Sequence, residues 1–208
     1  MKMSELSERS GVSVASIKFY QREELLPEPE RSSPNQARYA ANHVDRLRLI
    51  RALVDVGGLS VAAVRRVLAA AEADIPLDWA MGVAQHAIPG SVELPDQGSR
   101  GVTEIDSVSA SMGWMVSPDN PGRAMAARVL DSYLQLDHEE LLSVLPEYCS
   151  AAEIVARVDL GTVALQPNRA RMSETVVVGT VLGDSLFAGL RRMAQEDAAH
   201  RQFSRAES

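Results

Sequence analysis

At 208 residues, with 46% hydrophobic and 24% charged positions, the chain can bury a sizeable core in one or two domains, and its composition is that of a folded, soluble protein. No apolar run approaches ~20 uninterrupted residues, MKMSELSE lacks the pattern of a signal peptide, and the single Cys149 excludes an internal disulfide or cysteine-rich metal site and fits a reducing cytoplasm. The net charge of −7 argues against a nucleic-acid partner, but residues 1–70 carry 11 Lys/Arg against 8 Asp/Glu while the remainder carries 10 against 20, a basic head on an acidic body.

The first predicted element is a short helix from about Ser4 to Ser10, with Ser4 as its cap and Leu6 facing inward. Gly11 suits the left-handed conformation that ends such a helix, and Ser13 is a good N-cap for a second helix from Val14 to Arg22. There Val14, Ile17 and, beyond it, Leu25 follow an apolar helical spacing, while Ser16, Lys18, Tyr20 and Arg22 point elsewhere. A hydroxyl, an ammonium, a phenol and a guanidinium on one outer surface are well matched to phosphates and base edges in a major groove. Taken alone, the same face reads first as that of a solvated surface helix, and the elements that follow reverse that order. Pro27 and Pro29 stop the helix, and LLPEPERSSPNQARYA reads as a small hairpin with extended ends near Leu26 and Tyr39. A third helix, about Asn42 to Val56, sets Val44, Leu47, Ile50, Leu53 and Val54 on one stripe with Arg46, Arg48 and Arg51 off it. Gly57 and Gly58 end it, and Ser60 caps a fourth helix whose Val61, Val64, Val67 and Leu68 face inward, with Arg65 and Arg66 outward toward solvent or a phosphate.

In this order, MSELSERSGVSVASIKFYQREELLPEPERSSPNQARYAANHVDRLRLIRALVDVGGLSVAAVRRVLAA resembles the DNA-binding domain of the MerR family of transcription regulators, from Met3 to Leu68. The resemblance implies a winged helix-turn-helix whose recognition helix enters a major groove and whose wing grips the flanking backbone. It places Ser13, Val14, Ser16, Lys18, Tyr20 and Arg22 of the recognition helix and Arg31, Arg38 and Tyr39 of the wing at the DNA. Lys18 stands where the family has Arg and offers charge without the bidentate fork. Phe19 stands at a family Tyr and is expected to pack inward, leaving Tyr20 as the phenol for contact. Gln36 and Ala37 replace a family Tyr-Arg pair, which leaves Arg38 to supply the guanidinium.

Family members usually continue into one long dimerisation helix, but here Pro76 restarts the chain and Pro89-Gly90 stop it, so the segment Ile75 to Ile88 is too short for a long coiled coil. A linker, PGSVELPDQGSR, follows. Beyond it, Ile105, Val108 and Met112 mark one helix, and Asn120 caps another, opened by Pro121, with Met125, Val129, Tyr133 and Leu136 expected inward. Asp137 is expected to cap HEELLSVL, Pro146 to open a helix ending at Gly161, and Ser173 to cap a last helix reaching about Phe203. In that helix Val178, Leu182, Leu186, Leu190 and Met193 recur at helical spacing, and Gly179 and Gly183 lie one turn apart, suited to close approach of another backbone. Gly179, Gly183, Leu186 and Leu190 are therefore dimer-interface candidates.

Other constellations carry less. His43, His86, His138 and His200 share no metal-ligand spacing with one another or with Cys149, so no metal or other cofactor is expected. His138-Glu139-Glu140 is a charged helix start rather than an acid-base site, Gly57-Gly58 caps a helix rather than cradling phosphate, and Cys149 sits among apolar neighbours as core. No enzymatic activity is expected. Trp79, Trp114, Tyr133, Tyr148 and Phe187 are aromatics able to line an effector pocket, although core packing explains them as well.

The expected protein is mostly α: a winged helix-turn-helix over residues 1–71, a short helix and linker over 72–100, and an all-helical dimerisation or effector domain over 101–208. The expected partners are double-stranded promoter DNA, a second copy of the chain, RNA polymerase indirectly and a small-molecule effector, without a membrane and in the cytoplasm. As the resemblance implies, a dimer would set two recognition helices in successive major grooves of a pseudo-palindromic site and act on promoter shape. Two rivals stand beside this reading: a drug-sequestering protein with an autoregulatory DNA-binding head, and an architectural DNA binder without an effector.

Overall fold

The computed structural model describes residues 1–33, 36–90, 96 and 98–203, without the side chains of residues 31–33 and 36. The fold is mostly α. Helix α1 (Met3–Ser10) starts one residue before the expected Ser4 and ends at Gly11, whose φ of 69° is the left-handed value that glycine adopts most readily. Ser13 then caps α2 (Val14–Arg22), its Oγ accepting from the Ser16 N–H at 3.1 Å. Strands β1 (Glu30–Ser33) and β2 (Gln36–Arg38) pair antiparallel, Glu30 opposite Arg38 and Arg31 opposite Ala37, with an irregularity between Arg31 and Ser33.

Helix α3 (Ala41–Asp55) opens with half of a capping box: the Ala40 N–H donates to His43 Nδ1 at 3.1 Å, while Ala40 has no side-chain acceptor to return the bond. His43 is buried edge-on to Tyr39, ring centroids 5.3 Å apart. Ser60 caps α4 (Val61–Glu72) as expected, accepting from the Ala63 N–H. The chain continues through α5 (Leu77–Ala87), α6 (Arg100–Ser111), α7 (Pro121–Gln135), a 3-10 segment (Glu139–Val144), α8 (Leu145–Ala164) and α9 (Arg169–Phe203).

Two compact units result, Met1–Ala69 with Val178–Ser208, and Ala70–Val177. In the first, Leu6, Val12, Ile17, Tyr39, Val44 and Leu47 form a buried cluster that fixes the two helices of the turn against α3. The wing is tied to this cluster through the first residue: Met1 and Tyr39 exchange backbone bonds, Tyr39 N–H to Met1 O at 3.0 Å and the Met1 ammonium to Tyr39 O at 2.7 Å. Gly57, at the α3–α4 turn, receives Val181 of α9, and a Cβ on Gly57 would lie 2.4 Å from Val181 Cγ1.

In the second unit, α6 packs on α7 through Val102, Ile105, Ala127 and Leu130. Their backbones approach so closely at Gly101 that a Cβ there would stand 2.1 Å from Ala127 O, while the Gly101 N–H donates to Asp131 Oδ1 at 2.7 Å. The inward face of α7 is thus Ala124, Ala127 and Leu130; the expected Met125, Val129 and Leu136 are exposed, and Tyr133 is half-buried against the α6–α7 core. A second cluster joins Ala80, Val163 and Val176.

Three helix boundaries also differ from expectation. Helix α8 runs through Gly161 to Ala164, and Asp137 adopts a left-handed φ of 59° one residue ahead of the 3-10 segment's N-cap, His138. Helix α9 begins at Arg169, where Asn168 Oδ1 accepts from the Arg171 N–H, so Ser173 is buried inside the helix instead of capping it. By length and composition alone α9 could span a bilayer, with a mean hydropathy of 1.2 over one 18-residue stretch of which 22% is buried within the protein.

Candidate nucleic-acid interface

Helix α2 is held by one deeply buried residue, Ile17, and everything else on it follows from its angle to that anchor. The side facing away carries Ala15, Lys18, Phe19 and Arg22, all exposed, and Val14 is exposed at the helix start. At its N-terminal end Ser13 Oγ satisfies the Ser16 N–H and lies 2.8 Å from Ser16 Oγ, so two hydroxyls sit beside the positive end of the helix dipole. Arg38 is exposed on β2, in the antiparallel hairpin that follows the recognition helix in the chain. Two cations on α2 and one on the wing thus accompany the outward apolar side chains Ala15 and Phe19, which can meet a thymine methyl or a deoxyribose.

The expected residues divide as follows. Ser13, Val14, Ser16, Lys18 and Arg22 occupy the exposed or half-exposed side of α2. Phe19, expected to pack inward, lies on the exposed side instead. Tyr20 is half-buried against the head cluster, while Phe19 is 37% exposed, the two rings 5.7 Å apart. Tyr39 is 5% exposed and belongs to the core, its hydroxyl accepting from Gln21 Nε2 at 3.1 Å, so it supports the wing from beneath and presents no phenol to a ligand. Arg31 lies in β1 with its backbone paired to Ala37; its side chain falls outside the described residues. Ala15 and Phe19 were missed as outward positions.

The arginines of the supporting helices are the other functional group that sequence reasoning missed. Arg46 Nε donates to Leu25 O at 2.8 Å, Arg48 Nη2 to Arg9 O at 3.0 Å, Arg51 Nη1 to Gly11 O at 3.0 Å, and Arg65 Nε and Nη2 to Glu23 O at 3.1 and 2.9 Å. These groups reach back to the helix-turn-helix instead of outward.

The aromatic candidates for an effector pocket divide between the two units. Trp79 and Tyr148 are exposed and Trp114 and Tyr133 half-exposed in the second unit, while Phe187 belongs to the first. An open cleft of about 470 Å³ in the second unit is lined by Arg100, Asp131, Leu134, Gln135, Asp137 and Glu139, and includes none of those aromatics. Cys149 is buried, and that burial pushes its thiol pKa up, away from nucleophile chemistry. On α9, Gly179 and Gly183 face open space, and Leu186 and Leu190 are 65% and 51% exposed.

Comparison with known proteins agrees with this geometry. Residues 1–71 match the family described as MerR HTH family regulatory protein. The mercuric resistance operon regulatory protein of Bacillus cereus is 36% identical over 56 residues, which cover 27% of this chain and 42% of that protein. The crystal structure of the putative transcriptional regulator SCO5550 from Streptomyces coelicolor A3(2) superposes with a TM-score of 0.72 at 32% identity, covering 98% of each chain. With its helix-turn-helix over residues 1–71, the chain belongs to the MerR family of regulatory proteins.

Proposed function

We propose that the protein is a sequence-specific DNA-binding transcription regulator that binds a pseudo-palindromic promoter duplex as a homodimer. The observation carrying this reading is the outward face of α2, where Lys18, Phe19 and Arg22 stand together beyond a Ser13-capped N-terminus, with Arg38 on the adjoining hairpin. Exposed cations on such a face attract phosphates, and the apolar centre reads base edges. Dimerisation through α9 is supported by Leu186, Leu190 and Met193, all exposed, and by Gly179 and Gly183, which no packing among the described residues explains. A mid-helix glycine costs roughly 1 kcal/mol relative to alanine, and a second backbone lying close against it offsets that cost. Regulation would reach RNA polymerase through promoter shape, with a small-molecule effector as the control and the cytoplasm as the compartment.

The test is in vitro selection of duplexes by the full chain, followed by anisotropy titration of the selected duplex. An enriched inverted repeat bound at two chains per duplex is expected. A pool that yields no common sequence, or binding unaffected by Lys18→Ala with Arg22→Ala, would overturn the reading.

A further inference from the structure

Arg46, Arg48 and Arg51 of α3 and Arg65 of α4 lie in the basic unit and would ordinarily be counted toward phosphate attraction. Each instead delivers N–H groups to a main-chain carbonyl at or just beyond the end of α1 or α2. Arg9 O, Gly11 O and Glu23 O are carbonyls that an α-helix leaves without partners at the negative end of its dipole, and Leu25 O lies beyond the end of α2. The end of α1 is met at Arg9 O and Gly11 O by two arginines from α3. The end of α2 is met at Leu25 O from α3 and at Glu23 O from α4, and Arg65 also reaches the Glu23 carboxylate at 2.6 Å. Arginine suits this task because one planar group gives several N–H donors in fixed directions. Local backbone is adapted to it as well: Gly11 has a left-handed φ, and a Cβ there would lie 3.1 Å from Arg51 Nη1.

We propose that Arg46, Arg48, Arg51 and Arg65 are positioning residues that set the pitch of the recognition helix relative to α3 and α4, and that they neutralise no phosphate. Helix α2 is held ahead of its Ser13 cap, through the Gly11 carbonyl in the turn, and past its last residue, through Glu23 and Leu25. Its angle in a major groove is therefore written into α3 and α4. This inference rests on the DNA-binding reading above.

The test uses the full chain, the selected duplex and a scrambled duplex of the same composition, with affinities measured across a salt series and folding checked by thermal melting. Arg48→Ala and Arg65→Ala are expected to weaken the selected duplex by about tenfold, to leave the scrambled duplex unchanged, and to leave the slope of log affinity against log salt unchanged. Arg65→Gln keeps a neutral N–H donor for the Glu23 carbonyl and is expected to recover most of the loss; it also serves if the alanine variant does not fold. A loss on both duplexes, with a slope smaller by about 0.9 per arginine and no recovery by glutamine, would make them phosphate contacts and overturn the proposal. Unchanged affinity and slope would make them solvated arginines and overturn it equally. Lys18→Ala separates the two readings: its slope falls by about 0.9 if the chain binds DNA through α2, whatever the arginine variants do, and stays fixed only if the DNA-binding reading itself fails.

Discussion

Phe19 and Tyr20 are adjacent aromatics with opposite work. Phe19 stands in the outward apolar patch, so Phe19→Ala is expected to weaken the selected duplex by about tenfold through lost contact with base methyls and sugars, with an unchanged melting temperature. Tyr20 packs beneath the helix on the cluster of Leu6 and Val44. Tyr20→Ala is expected to cost about 1–3 kcal/mol of stability in a urea titration, and to weaken DNA binding only in proportion. This arrangement was legible in principle. Counting about 100° per residue from the anchor Ile17 puts Ala15, Phe19 and Arg22 on the far side and Tyr20 on the near side. The family pattern, which prizes a phenol, pointed the other way. Tyr39 was not legible in the same manner, because its burial depends on Met1 and Gln21, which no local spacing brings beside it.

Between elements, the close crossing of α6 and α7 decides more than the bulk of any side chain. Helix periodicity directs attention to large residues, and on α7 it selected Met125, Val129 and Leu136; the crossing needs small ones, so Ala124 and Ala127 face inward. Gly101→Ala is expected to destabilise the protein by about 1–3 kcal/mol, read in the same titration, since the added methyl meets the Ala127 carbonyl and displaces Asp131. The two helices are also bridged by a bidentate pair, Arg123 Nε to Asp106 Oδ1 at 2.6 Å and Nη2 to Oδ2 at 2.7 Å. The hydrogen bond from Arg123 holds the Asp106 carboxyl below its ordinary pKa. A lowered native value means the folded protein favours the charged form, so the stabilisation is complete above the unfolded value of about 4 and is lost as pH falls through the native value. Asp106→Asn is therefore expected to cost about 1 kcal/mol at neutral pH and progressively less below about pH 4. Urea midpoints of wild type and variant measured across that range check the convergence. The caps of these helices, Ser99 and Asn120, bond locally to the first turn, which is why Asn120 could be placed from sequence alone.

For the molecule as a whole, α9 presents Leu186, Leu190 and Met193 to solvent along one side. Leu186→Glu with Leu190→Glu is expected to convert a dimer to a monomer by light scattering, with an unchanged melting temperature because neither side chain is buried within the chain. A mass equal to wild type would move the subunit interface elsewhere. The helical spacing identified this segment as a helix and its glycines as exceptional. It did not reveal that residues 178–203 share a unit with the head, because that association runs through Val181 and a turn more than a hundred residues earlier.

That seat has a bearing on how the protein is made. The side chain of Val181 is 2% exposed and fills the space that Gly57 leaves open. Gly57→Ala is accordingly expected to lower the melting temperature by crowding Val181, at a cost of about 1–3 kcal/mol. Synthesis runs from the N-terminus, so the helix-turn-helix leaves the ribosome first and waits through the whole of residues 70–177 for the segment that completes its unit. A chain interrupted before residue 181 carries every exposed side chain of α2 yet lacks the residue that closes the α3–α4 turn, so the head is begun first and finished among the last.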